Sequence, residues 1–265
     1  VLQQEITHQP KTAAEPMLAG AHPQFETDYL RFETSVRAAA VVQSIVQRVD
    51  RTYQQFYRDF GVPLPTDNDK LRIIADPAGN LRYAIMDENT LTVALPYYAA
   101  ERNGLTLADA LASTLRVQLA QYVLGKALQV RTIKPQWQAM TLALKAHLQL
   151  DYGYNKDWRF HPTVLPSRYD AQSRPLHFVL SAQTMAYDPT DPGSTTTATA
   201  VATAGSVIEF IVARYGYAKI STLLDAFETH ESWETLAPAV FGISATELEN
   251  HWHAYLRGMY PVPEE

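Results

Sequence analysis

The sequence predicts an α+β fold: a small N-terminal mixed sheet with helices, packed on a mainly helical C-terminal half. Three observations carry this. Runs that read as strands fall within the first 100 residues, helical periodicities fill the rest, and no internal repeat recurs along the chain. With 265 residues, 46% hydrophobic and 19% charged, the chain is long and apolar enough to bury a real core. The organisation expected is a tail or linker over 1–24, an α/β subdomain over 25–104 and a helical subdomain over 105–265.

Taken in order, the opening "VLQQEITHQPKTAAEPMLAGAHPQ" is polar, proline-bearing and aperiodic, and reads as a linker that follows a removed signal or anchor. "FETDYLRFETS" (25–35) alternates in part and reads as a strand. Next, Val42, Ile45, Val46, Val49, Tyr53, Phe56 and Phe60 recur at spacings of three and four, one face of a helix that Gly61 and Pro63 end. "KLRIIAD" (70–76) and "TLTVALP" (90–96) are strands stopped by proline.

From Thr106, a helix N-cap with Asp109 in its first turn, the pattern is helical. Leu107, Leu111, Leu115, Leu119 and Tyr122 form one stripe, and Val117, Leu124 and Leu128 another, so this helix is central. "QWQAMTLALKAHLQL" after Pro135 is a second buried helix. Residues 151–178, rich in aromatics and proline, read as an ordered irregular crossing, and 188–200 as a flexible loop. Four further helices follow. Gly242 stops one of them, and Ser244 with Glu247 opens the last as a capping box.

Composition narrows the function. The net charge is −6, with no lysine or arginine run, which argues against nucleic acid. No cysteine is present, which removes thiol catalysis and cysteine-held metals. No apolar run reaches the roughly 18 residues of a membrane span. The serines Ser181, Ser206 and Ser221 lack a nucleophile-elbow frame, and no glycine-rich phosphate loop follows a strand. The carboxylates Glu209, Asp225 and Glu228 read as solvated helix faces. Glu247 with His251, and Glu249 with His253, read as surface pairs at i,i+4.

Three stretches agree with one family. "LRVQLAQYVLG" (115–125) keeps Leu115, Leu119, Leu124 and Gly125 of a frame L-x-H-E-L-x-H-x-x-L-G. "PQWQAMTLA" keeps Pro135, Trp137 and Ala143 of P-x-W-x-x-E-G-x-A. The tail keeps Tyr215, Gly216, Leu223, Leu224, Phe241, Gly242, Leu248, Trp252, Tyr255 and Leu256. Over residues 25–258 the chain resembles the peptidase-MA-like, gluzincin-type zinc metallopeptidases of secreted or membrane-attached bacterial proteins. The resemblance implies a zincin-like fold and an extracellular or cell-envelope location.

The departures decide the chemistry. At the positions of the two zinc-binding histidines stand Val117 and Gln121, at the general base Gln118, and at the third ligand Met140. Valine offers no lone pair, a thioether is too soft for zinc, and an amide takes no proton near neutral pH. Without a metal, water keeps a pKa near 16 rather than about 7, so no hydroxide forms. The reading is a pseudoenzyme with no cofactor that binds a peptide or protein through the former cleft. The family pattern makes the strand before the zinc helix, Leu91, Thr92, Val93 and Ala94, the edge strand of that cleft. Tyr97 and Tyr98 add aromatic surface, with Tyr152, Tyr154, Trp158 and Tyr187 as further candidates. The alternatives are an active hydrolase with another site and a purely structural envelope module.

Overall fold

A computed structural model describes residues 23–66, 69–76, 85–87, 89–154, 157–184 and 195–262. The predicted tail up to residue 22, the first part of the predicted loop (188–194) and Tyr187 lie outside them. β1 (Gln24–Glu26) and β2 (Leu30–Thr34) form an antiparallel hairpin. The strand expected over 25–35 is thus two. Thr27 turns the chain: its N–H donates to the Leu30 carbonyl at 2.9 Å, and its hydroxyl accepts from the Leu30 N–H at 3.0 Å.

β3 (Leu71–Asp76) runs parallel to β2, and β5 (Thr90–Ala94) parallel to β3. The three residues of β4 (Ile85–Asp87) pair antiparallel with the far side of β5, giving the order β1-β2-β3-β5-β4. The expectation that Leu91, Thr92, Val93 and Ala94 form an edge strand is corrected: β5 is interior, and β4 is the edge on that side. Three residues show no period-two pattern, so the covering strand is invisible in sequence. In register, Phe32, Ile73 and Leu91 share one row and Thr34, Ala75 and Val93 the next, all buried.

α1 (Ala39–Phe60) makes the crossover between the parallel strands β2 and β3 and buries the predicted face, Val42 through Phe60. It packs chiefly along α3 (Leu107–Gln129). Gly61, which ends α1, has φ 64°, and a Cβ there would stand 1.9 Å from the Ser221 hydroxyl; only glycine fits. α2 (Tyr97–Arg102) is a helix that the sequence did not announce. Thr106 caps α3 by accepting from the Asp109 N–H, and Ser244 caps α9 (Ala245–Met259) by accepting from the Glu247 N–H, as the patterns predict.

α4 (Gln138–Asp151) buries Met140, Ala143, Leu144, His147 and Leu148 and packs most extensively on α6 (Thr195–Tyr215). The loop expected over 188–200 is helical from Thr195, because Ala200, Ala204, Val207 and Ile211 bury one side of α6 and packing overrides a loop-like composition. The irregular crossing holds a 3-10 turn, Trp158–Phe160, and α5 (Leu165–Ala171). α7 (Lys219–Thr229) and α8 (Trp233–Phe241) lead to α9. One continuous core runs from Leu30 and Leu91 through Leu119, Trp137 and Met140 to Trp252, so the sheet and the helical half share it. Among the described residues no helix is long and apolar enough to cross a membrane.

Candidate functional site

α3 buries Leu111, Leu115, Leu119 and Val123, while Thr114, Val117, Gln118, Gln121 and Gly125 form a partly exposed strip at spacings of three and four. Side chains tie this strip to its flanks. On one flank the Tyr122 hydroxyl donates to Asn89 Oδ1 at 3.1 Å; Asn89 in turn pins the β4–β5 turn to β3 by donating to the Lys70 carbonyl at 2.9 Å. On the other flank Gln121 Nε2 donates to the Lys145 carbonyl of α4 at 2.8 Å. Near the N-terminal end, the Tyr154 hydroxyl bonds Thr114 and donates to the Ala110 carbonyl at 3.1 Å.

Val117, Gln118 and Gln121 lie together on α3, and Met140 is fully buried on α4, which packs on both α6 and α3. The carbonyl that Gln121 reaches belongs to a residue five positions on, about 7.5 Å along the axis and about 140° around the helix at 100° per residue. Val117, Gln118 and Gln121 form a partly exposed strip on α3, and the family frame would add Met140 to them from α4, which packs on α3.

A zinc titration reads this out. Val117→His with Gln121→His puts two imidazoles at i,i+4, and this variant is expected to bind zinc weakly. Adding Met140→Glu, the third position of the frame, is expected to raise that affinity about tenfold or more, since a further ligand within about 2 Å of the ion completes the set. A gain of less than about twofold in the folded variant would overturn the frame.

Tyr97 and Tyr98, 55% and 75% exposed, sit on α2, which packs on α3. Tyr152, by contrast, stacks on Tyr217 with ring centroids 5.4 Å apart, and Trp158 is buried. They fill the interior rather than line the strip.

The sequence reading missed a polar cluster beneath α4. Arg168 Nε donates to Glu209 Oε2 at 3.1 Å, and both side chains are almost wholly buried. The Tyr255 hydroxyl donates to Glu209 Oε1 at 2.9 Å and that of Tyr260 at 2.5 Å, while Arg168 Nη1 reaches the Ala202 carbonyl. Burial beside Glu209 raises both phenols above their ordinary range. Glu209 thus does not lie on a solvated face, and the cluster ties α5, α6 and α9 together. Ser206, one turn before it, accepts from Trp252 Nε1 at 3.2 Å.

A second pair, Arg159 with Asp151 at 3.5 Å, has the Tyr217 hydroxyl donating to Asp151 Oδ2 at 2.7 Å. Between the two pairs lies His147, buried, edge-on to Trp158 at 5.7 Å, with no hydrogen-bond partner on either ring nitrogen among the described residues. Burial pulls its imidazole down to about 4; Asp151 and Glu209 oppose the shift, and Arg159 and Arg168 add to it. The surface pair expected of Glu249 with His253 is also corrected. Glu249 accepts from the Leu176 N–H at 2.5 Å and His253 Nε2 bonds the Arg174 carbonyl at 2.8 Å, so both hold the chain that follows α5.

Among the described residues no group of three histidine, aspartate or glutamate side chains gathers as a metal-holding set. The chain matches no family model, and searches of curated proteins and of solved structures likewise give no match.

Proposed function

We propose that this chain is a catalytically inactive, metallopeptidase-like domain of zincin-like architecture, extracellular or at the cell envelope, that captures an extended peptide or protein segment beside the α3 strip. The location and the architecture rest on the resemblance of the three motifs. The observation that carries the binding reading is the pairing of two features. The strip presents Val117, Gln118 and Gln121, with the Gln121 amide already engaged by Lys145. The neighbouring sheet ends in β4, whose outer backbone groups meet no further strand among the described residues.

An edge strand offers N–H and C=O groups at a fixed period to any extended chain, with or without a metal. Met86 on β4 is itself exposed, which gives a bound segment an apolar contact. The strip supplies no group that could lower the pKa of water or accept its proton, so a segment held there stays intact.

A peptide selected for binding from a random library tests this. N-methylation at alternate residues of that peptide is expected to weaken binding about tenfold or more, and at the intervening residues about twofold or less. The peptide is expected to be recovered uncut after incubation with zinc. Sensitivity without a period of two, or cleavage that a chelator stops, would refute the reading.

A further inference from the structure

The segment 158–171, the 3-10 turn with α5, packs on α6 and α9 and sets Trp158 against His147 of α4. It forms a strap, and the buried charges divide between strap and body by sign. Both cations, Arg159 and Arg168, ride on the strap. Both carboxylates, Asp151 at the end of α4 and Glu209 of α6, belong to the body beneath. His147 stands on the body too and is 3% exposed.

We infer that the strap is released by acid: a proton on His147 undocks residues 158–171 from α4 and α6. The reason is a balance of charges. With a neutral imidazole, two guanidinium groups meet two carboxylates, and the cluster sums to zero. A proton on His147 adds a positive charge away from water, beside the strap's two cations. The body's carboxylates neutralise it only by loosening their hold on the arginines. Once the strap lifts, Arg159 and Arg168 reach water, and the imidazolium supplies the positive charge that Asp151 and Glu209 lose.

The surrounding elements favour this direction. Tyr217 donates to Asp151, and Tyr255 and Tyr260 donate to Glu209, so the carboxylates stay on the body. α3, packed on α4, brings a further cation, Arg116, over the Tyr152 ring at 5.9 Å. The 3-10 segment Leu176–Thr184, also packed on α4, brings only the exposed His177. Burial pulls the His147 imidazole down to about 4, so the closed strap and the proton compete. The far end stays tethered to α9. Gln172 Nε2 donates to the Tyr260 carbonyl at 2.8 Å, and a protonated His253 keeps its bond to the Arg174 carbonyl.

Amide hydrogen exchange in the intact chain, corrected for its intrinsic pH dependence, tests this. From about pH 7 to about pH 4.5, protection of α5 is expected to fall about tenfold or more, while that of α3 changes less than about threefold. In His147→Leu the fall in α5 is expected to shrink to about threefold or less. His147→Gln, equally without a titratable proton, is expected to do the same and serves where leucine upsets the packing. No fall in the parent, an equal fall in α3 and α5, or a full fall in a folded His147 variant would each overturn the inference.

Discussion

Replacing Arg168 by methionine is expected to destabilise the fold by about 3–5 kcal/mol, the usual cost of removing one member of a buried ion pair. The guanidinium meets Glu209 Oε2 at 3.1 Å, reaches the Ala202 carbonyl at 3.1 Å and covers one face of Trp158. Its loss leaves a carboxyl group that is 2% exposed with only the hydroxyls of Tyr255 and Tyr260. The pair joins segments 41 residues apart, and the tyrosines bring in the C-terminal helix. The damage should therefore spread to α5, α6 and α9 together rather than fray one end. In a double-mutant cycle with Glu209→Leu, the coupling is expected to be about 2 kcal/mol. Urea unfolding measures both numbers. A single-mutant cost below about 1 kcal/mol would mean that the pair does not hold these helices.

Acidification supplies the second large effect. His147 has its pKa pulled down to about 4 in the folded state, mainly by burial, against an ordinary value of 6.5. The sign follows from proton counting. Between pH 6.5 and about 4 the unfolded chain carries a proton on this imidazole and the folded chain does not, so lowering the pH favours unfolding. The contribution is fully present above pH 6.5 and is lost as pH falls towards 4, in total about 3 kcal/mol. Among the described residues neither ring nitrogen has a partner to lose. His147→Leu is therefore expected to be at least as stable as the parent at pH 7, within about 1 kcal/mol, and to lose less stability towards pH 4. Groups that do not interact with His147 are the same in both proteins and cancel in the difference. Parallel stability curves for the two proteins across this window would remove His147 as the cause.

These two effects come from residues that the sequence leaves featureless, and the reason is geometric. Glu209 follows the helical pattern of "AGSVIEFIVARYG" and reads as an ordinary polar position. Nothing within one turn of it says that a guanidinium from α5 and two phenols from the C-terminal end will converge there. The α3 strip is the opposite case. Val117, Gln118 and Gln121 lie within five residues of one another on one helix, and their spacing alone puts them on one side. Met140 sits on a different helix, so no spacing within α3 says where its side chain lies.

The sequence by itself determined what depends on neighbours three or four residues apart. This covers the strands β3 and β5 and the long helices, the inward face of α1, the caps at Thr106 and Ser244, the stop at Gly61, and the residue types at Val117, Gln118 and Gln121. Local periodicity and capping bonds act within a single turn, so their signals survive in the linear order. The tertiary structure alone decided that a three-residue strand covers β5 and that Glu209 is enclosed with Arg168. Each of these is a contact between segments far apart in the chain, and its energy comes from burial and pairing that no local pattern encodes.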